Sequence, residues 1–469
     1  MTFSSDYQQN KKDLKKALRL DDSFDLICKD TVIGEKDACF FFVDGFTKDE
    51  VMQKLLSGFI TLKAQDMPAD AEEFSTSQLP YIEVDIVTDM EQTITSILSG
   101  MTALFIDGYD SAICMDVRTY PARSVDQPEK EKVLRGSRDG FVETIVFNTA
   151  LIRRRIRDPK LTMEMLSVGS VSHTDVVLCY MDDVVDRKLL NYVRMKIQNI
   201  TTKSLNMNQT SLAECLYERH WYNPFPKFKY TERPDTSAAS IMEGSLAILV
   251  DNAPSAIILP TSLFGIMEEA DDFYFPPITG TYLRLARFLI STVTFFITPV
   301  FLLLTMYPEW IPEWLYFIQL SEPTNVPLMF QFLILEVAID GLRLAAVNTP
   351  GMLSTPLSIV AGLALGEYAV TSGWFNSEAI LYMAFVAVAN YTQPSYELSY
   401  ALKFFRIITL VLTGFFGLSG LIAGTIIFIV ALLLNRTLDG RRRYLYPLIP
   451  WNWKALKHQL FRLRRDENS

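Results

Sequence analysis

The residues best placed to do chemistry are three charges inside an apolar stretch, MFQFLILEVAIDGLRLAAVNTP (329–350): Glu336, Asp340 and Arg343. Their i, i+4, i+7 spacing puts them on one helical face. A charge at membrane depth is costly and is found facing a bundle interior or a water path. The face therefore reads as the lining or gate of an ion route, with Glu367 in the next stretch as a further acidic group. The plainer alternative is internal pairing, in which these groups only lock helices together. One arginine cannot neutralise three carboxylates, so both readings stay open.

Five apolar stretches must position these groups, at about 288–307, 326–347, 356–371, 379–393 and 404–434. The first, Phe288–Tyr307, is twenty residues without a charge, the length that spans about 30 Å of hydrocarbon at about 1.5 Å per residue. Arg284 and Arg287 precede it. The loop 308–327 that follows holds Glu309, Glu313 and Glu322 but no lysine or arginine, with Trp310 and Trp314 suited to an interface. The tail is rich in arginine and lysine. By the positive-inside rule both ends are cytosolic, so the number of full crossings is even. Five stretches are odd. The 31-residue run 404–434 either bends back near Gly417–Gly420, or a shorter stretch enters and leaves by one face. Segment 356–371, between Pro356 and Gly373, is the preferred re-entrant element, with Ile359, Val360 and Leu363 as an apolar gate. The expectation is four crossings plus one re-entrant or broken helix. Gly414, Gly417, Gly420 and Gly424, three or four residues apart, suit close helix packing.

The chain in front of this all-α region has a different character. Of 469 residues 49% are hydrophobic, but residues 281–469 carry 14 Lys/Arg and 11 Asp/Glu, leaving 30 and 43 for residues 1–280. A front near −13 argues against nucleic acid. The N-terminus lacks the apolar core of a secretory signal, so the front is expected in the cytosol. Its five cysteines (Cys28, Cys39, Cys114, Cys179, Cys215) are odd in number, far apart in sequence and form no CxxC pair, so neither a zinc site nor a disulfide framework is expected.

The front also repeats itself. TITSILSGMTALFIDGYDSAICMDV (93–117) aligns with SAASIMEGSLAILVDNAPSAIILPT (237–261) at an offset of 144, matching Gly100 to Gly244 and Asp107 to Asp251. The pattern reads as a helix end, a glycine stop, a strand, an Asp-led turn and a second strand. Upstream, 39–56 and 178–197 each read as an apolar strand, an acidic turn and an amphipathic helix. The expected fold is two tandem repeated α/β subdomains followed by a helical membrane domain. The boundaries are a polar extension 1–19, subdomains 20–120 and 165–280, a linking segment 121–164 with a basic helix, the membrane domain 281–435 and a basic tail 436–469. Arg153–Arg157 on the linking helix reads as a solvated basic face, or as one that meets acidic faces of neighbouring copies.

Enzyme chemistry finds little support. His173, His220 and His458 are far apart in sequence, and there is no GxxxxGK[ST], HExxH or strand-bound GxGxxG. Asp107 and Asp251 read as turn aspartates that bond their own backbone. No enzyme, cofactor or metal is expected.

Longer stretches carry a resemblance. LIRRRIRDPKLTMEMLSVG (151–169), YNPFPKFKYTERPDTSAASIMEGSLAILVDNAPSAIILPTSLF (222–264), EEADDFYFPPITGTYLRLARFL (268–289) and TQPSYELSYALKFFRI (392–407) resemble the A-subunit family of spore germinant receptors from endospore-forming bacteria. VNTP (347–350), TQPSYELS and YLYPLIPWNWKALK (444–457) point to one branch of it. The resemblance implies a two-lobed cytosolic domain, a small membrane domain, and a pentameric ion channel in the spore's inner membrane that opens during germination. In the family a transporter-like B subunit senses the nutrient and a lipoprotein C subunit accompanies it. The branch resembled here implies enlarged ion release, together with another small membrane protein. Glu336, Asp340 and Glu367 of each copy would then form an acidic ring favouring monovalent cations. A secondary transporter and a non-conducting scaffold are the competing readings.

Overall fold

The computed structural model describes residues 3–4, 6–79, 83–119, 131–217, 222–348, 362 and 366–462. The chain divides into two compact units, residues 1–219 with 228–261, and residues 220–227 with 262–469.

The first unit holds two five-stranded antiparallel sheets. Strands β1 (Leu26–Ile33), β2 (Lys36–Val43), β3 (Val84–Val87), β4 (Thr102–Ile106) and β5 (Ala112–Met115) lie in the order β1-β2-β4-β5-β3. Strands β6 (Leu161–Val168), β7 (Thr174–Met181), β8 (Lys229–Thr231), β9 (Leu246–Val250) and β10 (Ala256–Leu259) repeat that order as β6-β7-β9-β10-β8. Helices of this unit are α1 (Tyr7–Leu18), α2 (Asp49–Ile60), α3 (Ala71–Ser77), α4 (Met90–Leu98), α5 (Ile145–Arg155), α6 (Arg187–Gln198), α7 (Asn208–Leu216) and α8 (Pro234–Met242).

The repeat holds element by element. Helix α8 and strands β9 and β10 start 144 residues after α4, β4 and β5. Gly100 and Gly244 both stop their helix at positive φ, 98° and 93°, a backbone that side chains with a Cβ rarely adopt. Asp107 N–H donates to the Asp37 carbonyl at 2.8 Å, and Asp251 N–H to the Asp175 carbonyl at 2.9 Å. The upstream match holds too, since β2 leads to α2 and β7 to α6.

Strand side chains alternate across the first sheet, and both faces are covered. Cys39, Phe41, Ala103 and Phe105 pack with α1 and α4, whereas Phe40, Leu104 and Ile106 pack with α2 and α3. Two expectations are corrected here. Residues 1–19 are not an extension: Tyr7, Leu14 and Leu18 form a helical stripe buried in the first core. The basic helix expected in the linking segment 121–164 is α5, and it is core rather than connector. Leu151 and Ile152 pack into the second lobe while Ala150 packs into the first.

Arg153 on that helix is 0% exposed and Arg155 half-buried, whereas Arg154 and Arg157 are exposed, so the expected basic face is solvated only in part. Arg153 Nε and Nη2 donate to Asp25 Oδ2 and Oδ1 at 2.7 and 3.0 Å, and Nη2 reaches Ser23 Oγ. The carbonyls of Asp158 and Leu161 take further donors. Asp25 precedes the first lobe's opening strand, and Ser23 Oγ accepts from Met163 N–H in the second lobe's opening strand. A buried charge is tolerated only when it is paired and saturated in this way. Arg155 pairs with Asp139, and Arg157 donates to Ser99 Oγ.

The second unit is helical: α9 (Pro277–Met306), α10 (Leu328–Asn348), α11 (Ser377–Asn390), α12 (Tyr396–Phe416), α13 (Leu418–Leu434) and α14 (Trp453–Leu460). Among the described residues, α9 and α12 are long and apolar enough to cross a membrane, and α11 and α13 are apolar but shorter. Helix α9 starts eleven residues before Phe288, on Pro277 in its first turn, where the missing N–H costs nothing. Arg284 and Arg287 therefore lie within the helix. Arg287 pairs with Asp272 and Glu269, and Arg284 with Glu268.

The 404–434 run does bend back. Gly417, at φ 57° and ψ −132°, separates α12 from α13. The two then pack closely: a Cβ at Gly424 would stand 2.6 Å from Thr409 Oγ1 and 2.7 Å from its Cα. Gly420 faces the Leu412 carbonyl, Gly414 faces Met329, and Gly417 faces Tyr307. The four glycines are packing positions.

Candidate ion-path site

Helix α10 carries the charged face, and its neighbour α12 supplies what answers it. Glu336 is 3% exposed, and Arg406 on α12 is 0% exposed. Arg406 Nε and Nη2 both donate to Glu336 Oε1, at 2.9 and 2.6 Å, and Nη1 reaches the Thr294 carbonyl of α9 at 3.3 Å. Lys403, one turn earlier, lies 3.3 Å from Glu336 Oε2 and 2.5 Å from Asp340 Oδ2, and donates to the Glu336 carbonyl. Two carboxylates and two cations thus close a four-membered cluster that ties α9, α10 and α12 together. In a dry interior each ion would be costly alone, and mutual pairing with extra hydrogen bonds offsets that cost.

This corrects the pairing expected from the sequence. Arg343 does not serve Glu336 and Asp340. It sits over the rings of Tyr391, Tyr396 and Tyr400, at 5.0, 5.9 and 5.6 Å from their centroids. The groups that sequence reasoning missed are Lys403 and Arg406. The signal was present: two cations three residues apart, opposite in sign to two acids four residues apart, in another apolar stretch. Arg406 falls inside the run 404–434, a single charge among apolar neighbours.

The remaining candidates are placed unevenly. Asp340 keeps 34% of its side chain accessible despite its pairing with Lys403. Glu367 is exposed beside the one-turn helix Tyr368–Thr371. Gate candidates Ile359, Val360 and Leu363 lie outside the described residues, as does most of 356–371.

Around the cluster runs a polar stripe on apolar helices. Gln393 Nε2 donates to Ser291 Oγ at 2.6 Å, and Ser291 bonds the Arg287 carbonyl. Thr409 and Thr413 donate to carbonyls one turn back. Gln331 and Asn376 hold each other and fix the entry to α11.

A model of the Bacillus/Clostridium GerA spore germination protein matches residues 12–468. This chain belongs to that family. It is 35% identical to stage V sporulation protein AF of Bacillus subtilis over 97% of this chain and 92% of that protein. That relative is the branch to which VNTP, TQPSYELS and the 444–457 segment pointed. Spore germination protein KA of the same organism is 27% identical, covering 94% and 82% of the two chains. The crystal structure of the N-terminal domain of the A subunit of the Bacillus megaterium germinant receptor GerK3 aligns at 24% identity. The alignment covers 55% of this chain and 96% of that one, with a TM-score of 0.41. The matched region takes in both units of the GerA-family chain, so the charged cluster of α10 and α12 lies within it.

One group in the first unit was not expected. Register brings Asp30 of β1 opposite Cys39 of β2, and ligand atoms of Cys28, Asp30 and Cys39 lie within 4.8 Å of one another. Lys11 holds Asp30 in an ion pair at 2.6 Å. The Cys39 thiol beside it, with Lys15 nearby, holds the half-buried Cys28 below the usual thiol range. Cys39 is pushed above that range by its contact with Cys28 and by burial.

Proposed function

We propose that this protein is a membrane subunit of the spore germination machinery that assembles into a ring, a pentamer, and conducts monovalent cations. One observation carries the reading. Asp340 lies midway along an apolar 21-residue helix, and a third of its side chain remains accessible. A charge so placed is stable where water or a neighbouring subunit meets it. A ring of copies supplies both, each presenting one polar helix face. In this reading Asp340 and Glu367 face the path. Glu336, closed against Arg406 and Lys403, anchors the helix that carries Asp340. Arg343 sets the far turn of the same helix against its tyrosines. Ile359, Val360 and Leu363 are proposed as the gate on their sequence alone. The role is non-enzymatic, and its setting is the inner membrane of the spore or forespore. There it would cross the membrane four times with one broken element, both ends in the cytosol. Lipids, other copies and another small membrane protein are its partners.

A non-conducting scaffold is the second reading, favoured by how fully Glu336 is neutralised within one protomer. Potassium-loaded liposomes containing the purified protein separate the two. Release that rises with Val360→Ala supports the channel. A folded, inserted protein that releases nothing in either form, alone or with its co-expressed small membrane partner, refutes it.

A further inference from the structure

The segment after α13 is basic, aromatic and fixed in place. Helix α14 is held against the first turns of α9 by three bonds. Arg284 Nη1 donates to the His458 and Gln459 carbonyls at 3.0 and 3.2 Å, taking up acceptors that a helix end leaves open. Arg462 N–H donates to Thr281 Oγ1 at 3.1 Å. On the inner side Leu456 is buried.

The outer side is built differently. Trp451 and Trp453 stack at 6.0 Å between ring centroids and are 65% and 61% exposed. Arg442, Arg443, Lys454 and Lys457 of the same segment are exposed. Between α14 and α9 runs an open groove of about 340 Å³, lined by Pro277, Ile278, Thr281, Lys457, Phe461 and Arg462. Its walls are almost wholly apolar, and Ile278 is 81% exposed at the foot of a helix long enough to cross a bilayer. Of the acids just before α9, Glu268, Glu269 and Asp272 pair with Arg284 and Arg287. Two cations at the rim of an apolar groove, beside stacked tryptophans, match one chemistry: a phosphate on a hydrocarbon chain.

We propose that this groove is a binding site for an anionic glycerophospholipid of the cytosolic leaflet. Lys457 and Arg462 take the headgroup phosphate, Ile278 and Phe461 take the upper acyl chain, and the tryptophan pair sits at headgroup level. Arg462 gives one nitrogen to the Phe273 carbonyl at 2.6 Å, which orients the guanidinium at the rim. The lipid would staple α14 to the base of α9. The inference rests on the membrane reading of α9, and goes beyond it by naming the ligand.

The test is lipid retention by the full-length protein, measured by native mass spectrometry from detergent with phosphatidylglycerol or phosphatidylcholine of matched chains. The wild type should retain phosphatidylglycerol in preference. Each basic group near an anionic headgroup is worth about fivefold, so Lys457→Gln/Arg462→Gln should lower retention about thirtyfold. Lys457→Gln alone, at an exposed position whose side chain bears no bond among the described residues, should lower it about fivefold. Equal retention of the two lipids, or undiminished phosphatidylglycerol in the folded single variant, overturns the proposal. Retention is read without conductance. A protein that keeps the lipid but passes no ion contradicts only the channel, and one that conducts without lipid preference contradicts only this site.

Discussion

Replacing Glu336 by leucine probes the cluster that ties α9, α10 and α12. Among the described residues, the change leaves Arg406, fully buried, with the Thr294 carbonyl at 3.3 Å, while Lys403 keeps Asp340. Removing one partner of a buried pair costs about 3–5 kcal/mol, because the other charge is left uncompensated. Arg406→Leu should cost less, about 2 kcal/mol, because Lys403 remains 3.3 Å from Glu336 Oε2. The double variant Glu336→Leu/Arg406→Leu removes both charges and should recover at least about 1 kcal/mol of the summed losses. The assay is equilibrium unfolding of the detergent-solubilised protein, read as a double-mutant cycle. Additive losses within about 0.5 kcal/mol would show that the two residues do not act as a pair. Equal losses for the two single changes would show that Lys403 does not share Glu336.

Three further outcomes follow from the same contacts. Asp25→Ala removes the charge partner of the buried Arg153 between the two lobes and should lower the stability of the first unit by about 3–5 kcal/mol, seen as an earlier thermal transition, while Asp183→Ala at the exposed Lys160 pair should leave that transition in place. Gly424→Leu cannot fit against Thr409 and should splay α12 from α13, raising cysteine cross-linking distances across the hairpin, whereas Gly341→Leu, with open space around it, should not. Burial pushes Lys227 down to about 8 from the ordinary 10.5, although it still donates to the Asn435 side chain and to the Arg436 carbonyl at 2.6 Å. Between those values the unfolded chain holds a proton that the folded chain lacks, so stability should rise as pH climbs from about 8 to 10.5. Lys227→Met should flatten that rise in melting curves taken across the interval.

Much of the first unit's architecture was legible because duplication writes the same local rules twice. Gly100 and Gly244 each mark a positive-φ helix stop, and the Asp-led turns follow at equal distances. The bend at Gly417 was one of two readings the sequence left open, because a 31-residue run is longer than one upright crossing and glycine permits a turn there. The docking of α1 was obscured because its stripe of Tyr7, Leu14 and Leu18 is narrow and surrounded by lysines. Arg153 misled because three arginines in a row resemble a solvated face, and its partner Asp25 lies 128 residues away. The same distance problem hid Lys403 and Arg406, which meet Asp340 and Glu336 across 63 and 70 residues. Periodicity within one helix could show which face bears charge. It could not show that another helix brings the opposite charges to it.

The central claim is that Asp340 faces an ion path while Glu336 holds the helix that presents it. The direct measurement is the reversal potential of the reconstituted protein under a potassium chloride gradient, for the wild type and for Asp340→Asn. The account predicts cation selectivity in the wild type and a shift toward zero in Asp340→Asn, with the assembled mass unchanged. An unchanged reversal potential, or a collapse of assembly in Asp340→Asn, would contradict it and leave the acidic face a structural device.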